Sequence, residues 1–150
     1  MNNSLLIAHI STLAIAYSLF LFAFAASLAL IVQENAIKQK RINSWSQKLP
    51  NIKLLDKLNL RFLSIGVLLM LCGLGSGYIY GRQKGISFFL GDPQLLSAAS
   101  TLFIYACLLF AINNKGYRGT RAAWLSVIGF LMALASYWGV QLTGGSFHVF

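Results

Sequence analysis

The sequence predicts an all-α, polytopic membrane protein: one bundle of four transmembrane helices, with both termini on the outer side. Three observations carry that reading. Of 150 residues, 57% are hydrophobic and only 10% are charged, with a mean hydropathy of +0.69. A soluble domain carries about 25% charged residues. The apolar residues gather in four runs, each long enough to cross a ~30 Å hydrocarbon core. Of the 12 Lys and Arg residues, ten fall in two of the three connections, the asymmetry of the positive-inside rule. At this length the chain is a single domain, 1–150.

The net charge is +9. In a soluble chain that would suggest nucleic acid. Here the charges lie between apolar runs, so orientation and attraction to anionic lipid headgroups account for them, and no nucleic-acid partner is expected. Cys72 and Cys107 each lie deep in an apolar run, and both are expected to be buried as small hydrophobes.

The first span covers 5–32 and has no formal charge. It is far longer than a signal peptide's core of about 7–15 residues, and no basic residue precedes it, so it is read as a span that stays. At 1.5 Å per residue its length is about 42 Å, which calls for tilt or protrusion. His9 sits about one turn inside its start, with Thr12, Ala16 and Phe20 on its face. The basic connection 33–61 holds seven Lys and Arg residues and marks the cytoplasmic side. Trp45 with Ile37 and Ile42 places part of it on the membrane surface. Pro50 breaks it, and Leu54, Leu55 and Leu58 among Lys53, Asp56 and Lys57 have a helical pattern leading into the next span.

The second span covers 62–80. Gly73, Gly77 and Gly81 share one face, which suits close packing by another helix or a groove for a flat ligand. The outer connection holds Arg82, Lys84 and Asp92, and its Phe88–Phe89 centre is too short to span. Asp92-Pro93 reads as the N-cap and first residue of the third helix, whose span is 95–112. A basic Gly116-Tyr117-Arg118-Gly119 turn follows. The fourth span, 122–142, ends with Tyr137 and Trp138 at the outer interface, and a glycine-rich tail carries His148.

No nucleophile–base–acid constellation and no phosphate-binding glycine motif is present. No acidic residue lies inside a span, so a proton or ion relay has no carboxylate to use. These absences argue against an ordinary enzyme and against a pump. The two histidines, His9 and His148, fall on the same side by charge count. Two neutral imidazoles are too few for a zinc site, but they can ligate a haem iron from opposite faces. Two readings stay open from spacing alone: a ligand pair, or two histidines that merely hydrogen-bond at the interface.

The order of several short motifs resembles one family. Ala8-His9-Ile10 with Ala16-Tyr17, Leu49-Pro50 with Asp56-Lys57-Leu58-Asn59, Gly66, Gly73 and Gly77, then Gly116-Tyr117-Arg118-Gly119, Arg121-Ala122-Ala123, Gly129-Phe130, Gly139-Val140 and His148 follow one another along the chain. Together they resemble the four-helix core of the haem-handling membrane proteins of cytochrome c assembly, the CcsA/HemX-like group. The resemblance implies haem as the ligand, His9 and His148 as its axial metal ligands, and other membrane or cytochrome-assembly proteins as partners in a bacterial inner membrane. Phe88 and Phe89 would then cover the porphyrin, and Arg82 and Lys84 would meet its propionates. The family's tryptophan-rich outer segment is represented here only by Asp92-Pro93 with Phe88, Phe89 and Leu90. Its intramembrane third-helix histidine falls near Phe110, which cannot ligate. The expectation is an accessory protein rather than a full synthase. The alternative is a non-catalytic regulatory or interaction subunit of the same fold that has lost haem binding.

Overall fold

The structure, a computed structural model, describes residues 4–40, 48–83, 93–116 and 118–142. These form four helices: α1 Ser4–Lys38, α2 Ile52–Gln83, α3 Pro93–Lys115 and α4 Thr120–Leu142. Each contains a stretch long and apolar enough to cross a membrane, namely Ser4–Lys38, Ile52–Gln83, Leu95–Asn114 and Thr120–Gly139. The chain is thus a multi-pass membrane protein, and among the described residues its regular secondary structure is all helical.

Neighbouring helices run antiparallel, in the cyclic order α1, α2, α3, α4. The α1–α2 contact is the most extensive, α4 packs on both α1 and α3, and the α2–α3 contact is slighter. Helix association inside lipid gains little from hydrophobic burial, because acyl chains are as apolar as leucine; close packing and interhelical hydrogen bonds decide it. The interior reflects this. Ala16 and Ala23 of α1 are buried, and Phe20 beside them stacks on Tyr105 of α3 with ring centroids 4.0 Å apart. Phe24 stacks on Phe130 of α4 at 4.7 Å. Asn59 and Ser126 are buried and bonded to each other, Asn59 Nδ2 donating at 3.1 Å and Ser126 Oγ donating back at 3.2 Å. The exterior also carries many large apolar residues, including Phe103, 71% exposed, and Phe110, 64% exposed.

The helix ends follow local chemistry. Asn51, after Pro50, caps α2: its side chain accepts the Lys53 N–H at 3.1 Å and its carbonyl accepts those of Leu54 and Leu55. α3 starts at Pro93 as expected, while Asp92 lies outside the described residues. Gly116 and Gly119 have φ of 62° and 66°, the left-handed region that glycine enters without penalty. Gly119 then caps α4, its carbonyl accepting the Ala123 N–H at 3.0 Å. Its own N–H donates to Asp56 Oδ1 at 3.0 Å, tying the turn to the start of α2.

The helices run beyond the apolar spans: α1 continues to Lys38, and α2 begins at Ile52 and takes in the helical pattern expected at 54–58. The Glu34–Lys38 pair at 2.8 Å, one turn apart, supports the extension of α1. Cys72 and Cys107 are both exposed. An apolar run does not reveal which of its faces looks at lipid, so burial did not follow from it.

Candidate functional site

His9 stands on α1 about one and a half turns from its start. It is half-buried and faces the glycine row of α2. Along this seam Phe20 packs on Gly66, Leu13 and Thr12 on Gly73, and His9 on Gly77. The seam explains the glycines. A Cβ added at Gly77 would lie 2.5 Å from both Nδ1 and Cε1 of His9, and one at Gly66 would lie 2.6 Å from the Phe20 ring. By contrast, Gly75, on another face, has nothing within 4 Å of such a Cβ. The expected helix-packing face is therefore correct at Gly73 and Gly77. The groove there is filled by α1 side chains, and the flat group lying on Gly77 is the imidazole itself.

His9 Nδ1 lies 2.7 Å from the carbonyl oxygen of Gly73. A carbonyl can only accept, so Nδ1 must carry the hydrogen. In a neutral ring the lone pair then sits on Nε2, and among the described residues nothing bonds that atom. A ring nitrogen fixed on a backbone carbonyl is the usual outer-sphere support of a metal-ligating histidine. Nε2 is therefore the ring atom of His9 left to ligate a metal, and the second predicted ligand, His148, lies outside the described residues. Thr12 Oγ1 bonds the Ala8 carbonyl at 2.6 Å and lies within reach of the His9 carbonyl at 3.1 Å, staying within its own helix.

Of the other predicted site residues, Arg82 is exposed near the end of α2, at the same end of the bundle as His9. Lys84, Phe88, Phe89 and His148 lie outside the described residues. α4 ends at Leu142 on the His9 end of the bundle, and His148 follows it in sequence. Phe110 faces lipid. Among the described residues no three His, Cys, Asp or Glu side chains cluster as a metal site.

The sequence reading missed the partner of His9. Its signal was present as a reversed register: the series 9, 13 and 20 on α1 meets 77, 73 and 66 on α2. Each pair sets a bulky side chain against a glycine.

A family model described as cytochrome c assembly protein matches residues 1–148. A cytochrome c biogenesis protein CcsA from Synechococcus sp. (strain CC9605) is 26% identical over 99% of this chain and 56% of its own length. The CcsA of Mesostigma viride is 34% identical over 64% of this chain and 32% of its own. An uncharacterized 28.8 kDa protein from the nifR3-like 5' region of Azospirillum brasilense is 29% identical over 89% of this chain and 49% of its own. The chain spans about half the length of several of these relatives. No solved structure matches it.

Proposed function

This chain belongs to the cytochrome c assembly protein family, and on that premise we propose that it binds or handles haem at the extracytoplasmic face through His9 and His148. In this reading it acts in a bacterial inner membrane, as an accessory protein rather than a full synthase. The single observation that carries the reading is the His9 Nδ1 bond to the Gly73 carbonyl at 2.7 Å, which leaves Nε2 as the available ligand atom. The names of the CcsA relatives support the assignment to cytochrome c assembly.

Each residue has a distinct task. Gly77 leaves room for the His9 ring, and Gly73 fixes its tautomer and orientation. His148 supplies the second imidazole, and Phe88 and Phe89 exclude water from the porphyrin faces. Arg82 and Lys84 meet the propionates, where guanidinium and ammonium groups make charge-assisted hydrogen bonds. Haem, when bound, is the cargo whose iron takes the two nitrogens. The distribution of basic residues, with ten of 12 at the opposite end of the bundle or its connections, supports an outer location for His9.

The test is spectroscopic. Protein purified in mild detergent and loaded with haem is expected to show a low-spin, six-coordinate spectrum. His9→Ala and His148→Ala should each give a high-spin spectrum or lose the haem, with partial recovery on adding imidazole. Spectra unchanged in both variants would sink the ligand pair and favour a regulatory subunit of the same fold.

A further inference from the structure

The opposite end of the bundle holds a feature that the haem reading does not use. Arg118, Thr120 and Arg121, from the turn into α4, line a cavity of about 400 Å³ together with Glu34 and Lys38 from the end of α1. Its charge is unbalanced: three cations stand against one carboxylate, and Glu34 is already paired with Lys38 at 2.8 Å. Among the described residues neither Arg118 nor Arg121 has a hydrogen-bond or ion-pair partner. The Thr120 hydroxyl oxygen is buried and likewise without one. A buried hydroxyl that finds no acceptor or donor costs free energy, so an unfilled bond there points to a missing polar partner.

The backbone adds to this. With Gly119 as the cap, the N–H groups of Thr120 and Arg121 have no acceptor within α4, which runs for 23 residues. The Gly119 N–H is engaged by Asp56, and Asp56 does not line the cavity. Among the described residues, the donors without a partner are two guanidinium forks, one hydroxyl and the first amides of α4. Several oxygens on one tetrahedral centre match that set better than a single carboxylate does. The location narrows the source. Thr120 opens α4 and Lys38 closes α1, so the cavity lies at the end of the bundle, beside the basic connections, where headgroups are expected.

We propose that this cavity binds a phosphate group, held by Arg118, Arg121 and Thr120, and that an anionic phospholipid headgroup supplies it. The assignment stands apart from haem binding and from the orientation of the chain.

The experiment uses the full chain in a zwitterionic detergent. Phosphatidylglycerol is titrated against phosphatidylcholine, and inorganic phosphate against chloride at equal ionic strength, with bound lipid and melting temperature as readouts. Saturable phosphatidylglycerol binding is expected. Arg118→Gln with Arg121→Gln should weaken it by roughly tenfold or more. Lys53→Gln with Lys57→Gln removes the same charge from exposed positions of α2 and should change it by no more than about twofold. Thr120→Val, which removes no charge, should weaken binding part of the way, and it carries the test if the double arginine variant does not fold. Equal loss in the two double variants would show diffuse attraction and overturn the site. So would binding of phosphatidylglycerol no tighter than phosphatidylcholine with no effect of phosphate. Arginine-dependent stabilisation by inorganic phosphate alone would overturn the lipid as source.

Discussion

The imidazole of His9 occupies the place where a side chain of residue 77 would be: a Cβ on Gly77 would lie 2.5 Å from two of its ring atoms. The histidine and the glycine therefore act as one fitting. Any side chain at 77 must push His9 off the Gly73 carbonyl or force α1 away from α2.

This gives a first prediction. Gly77→Leu should lower the unfolding free energy in detergent by about 1–3 kcal/mol, the usual cost of overpacking. Gly75→Leu has open space and should stay within about 0.5 kcal/mol of the parent. Equal thermal shifts in the two variants would mean that the α1–α2 seam is not closed as described.

The Asn59–Ser126 pair links α2 to α4 inside the bundle. A double-mutant cycle with Asn59→Leu and Ser126→Ala should return a coupling of about 0.6 kcal/mol and no more than about 1.7 kcal/mol, the average and maximum for interhelical hydrogen bonds in membranes. A coupling near zero would show that each side chain finds another partner.

Asp56 accepts the N–H of the residue that caps α4. Asp56→Ala should destabilise by about 1–2 kcal/mol, because that N–H loses its acceptor. Asp56→Asn retains a carbonyl oxygen and should recover much of the loss. If alanine and asparagine are equally destabilising, the carboxylate's charge and not its bond to Gly119 matters.

Orientation has its own test. An alkaline phosphatase fused after the C-terminus should be active, and one fused near residue 45 inactive, if the basic connections lie in the cytoplasm. The reverse pattern would put His9 on the cytoplasmic side and remove the extracytoplasmic reading.

Much of the fold was legible because a bilayer imposes simple demands. Four long apolar runs had to become four spanning helices, and Pro50, Pro93 and the two glycines of the Gly-Tyr-Arg-Gly turn marked where the chain bends. Which face of each helix points inward was harder to see. Lipid and protein interior are equally apolar, so Cys72 and Cys107 carried no signal, and both face outward. Small and polar residues were the better guide. Gly73 and Gly77 were read as a packing face and are one, and Asn59 is buried as one half of a hydrogen-bonded pair. Of the candidate site, His9 could be singled out as one of two histidines, but not its partner. A backbone carbonyl has no identity in a sequence, so the bond to Gly73 could come only from coordinates.

The glycine row of α2 has a consequence for how deep His9 sits. Gly73, Gly77 and Gly81 repeat every turn, so they work like evenly spaced rungs. Sliding α1 by one turn would set Leu13 on Gly77 and His9 on Gly81, another glycine, and the rungs alone do not forbid it. Phe20 does. In the observed register it rests on Gly66, and after the slide it would meet Met70, which is fully buried. Phe20 lies about three turns from His9, roughly 16 Å along the helix. The height of the imidazole in the bilayer is thus set from a distance, by an aromatic ring acting as a latch on a glycine outside the ladder.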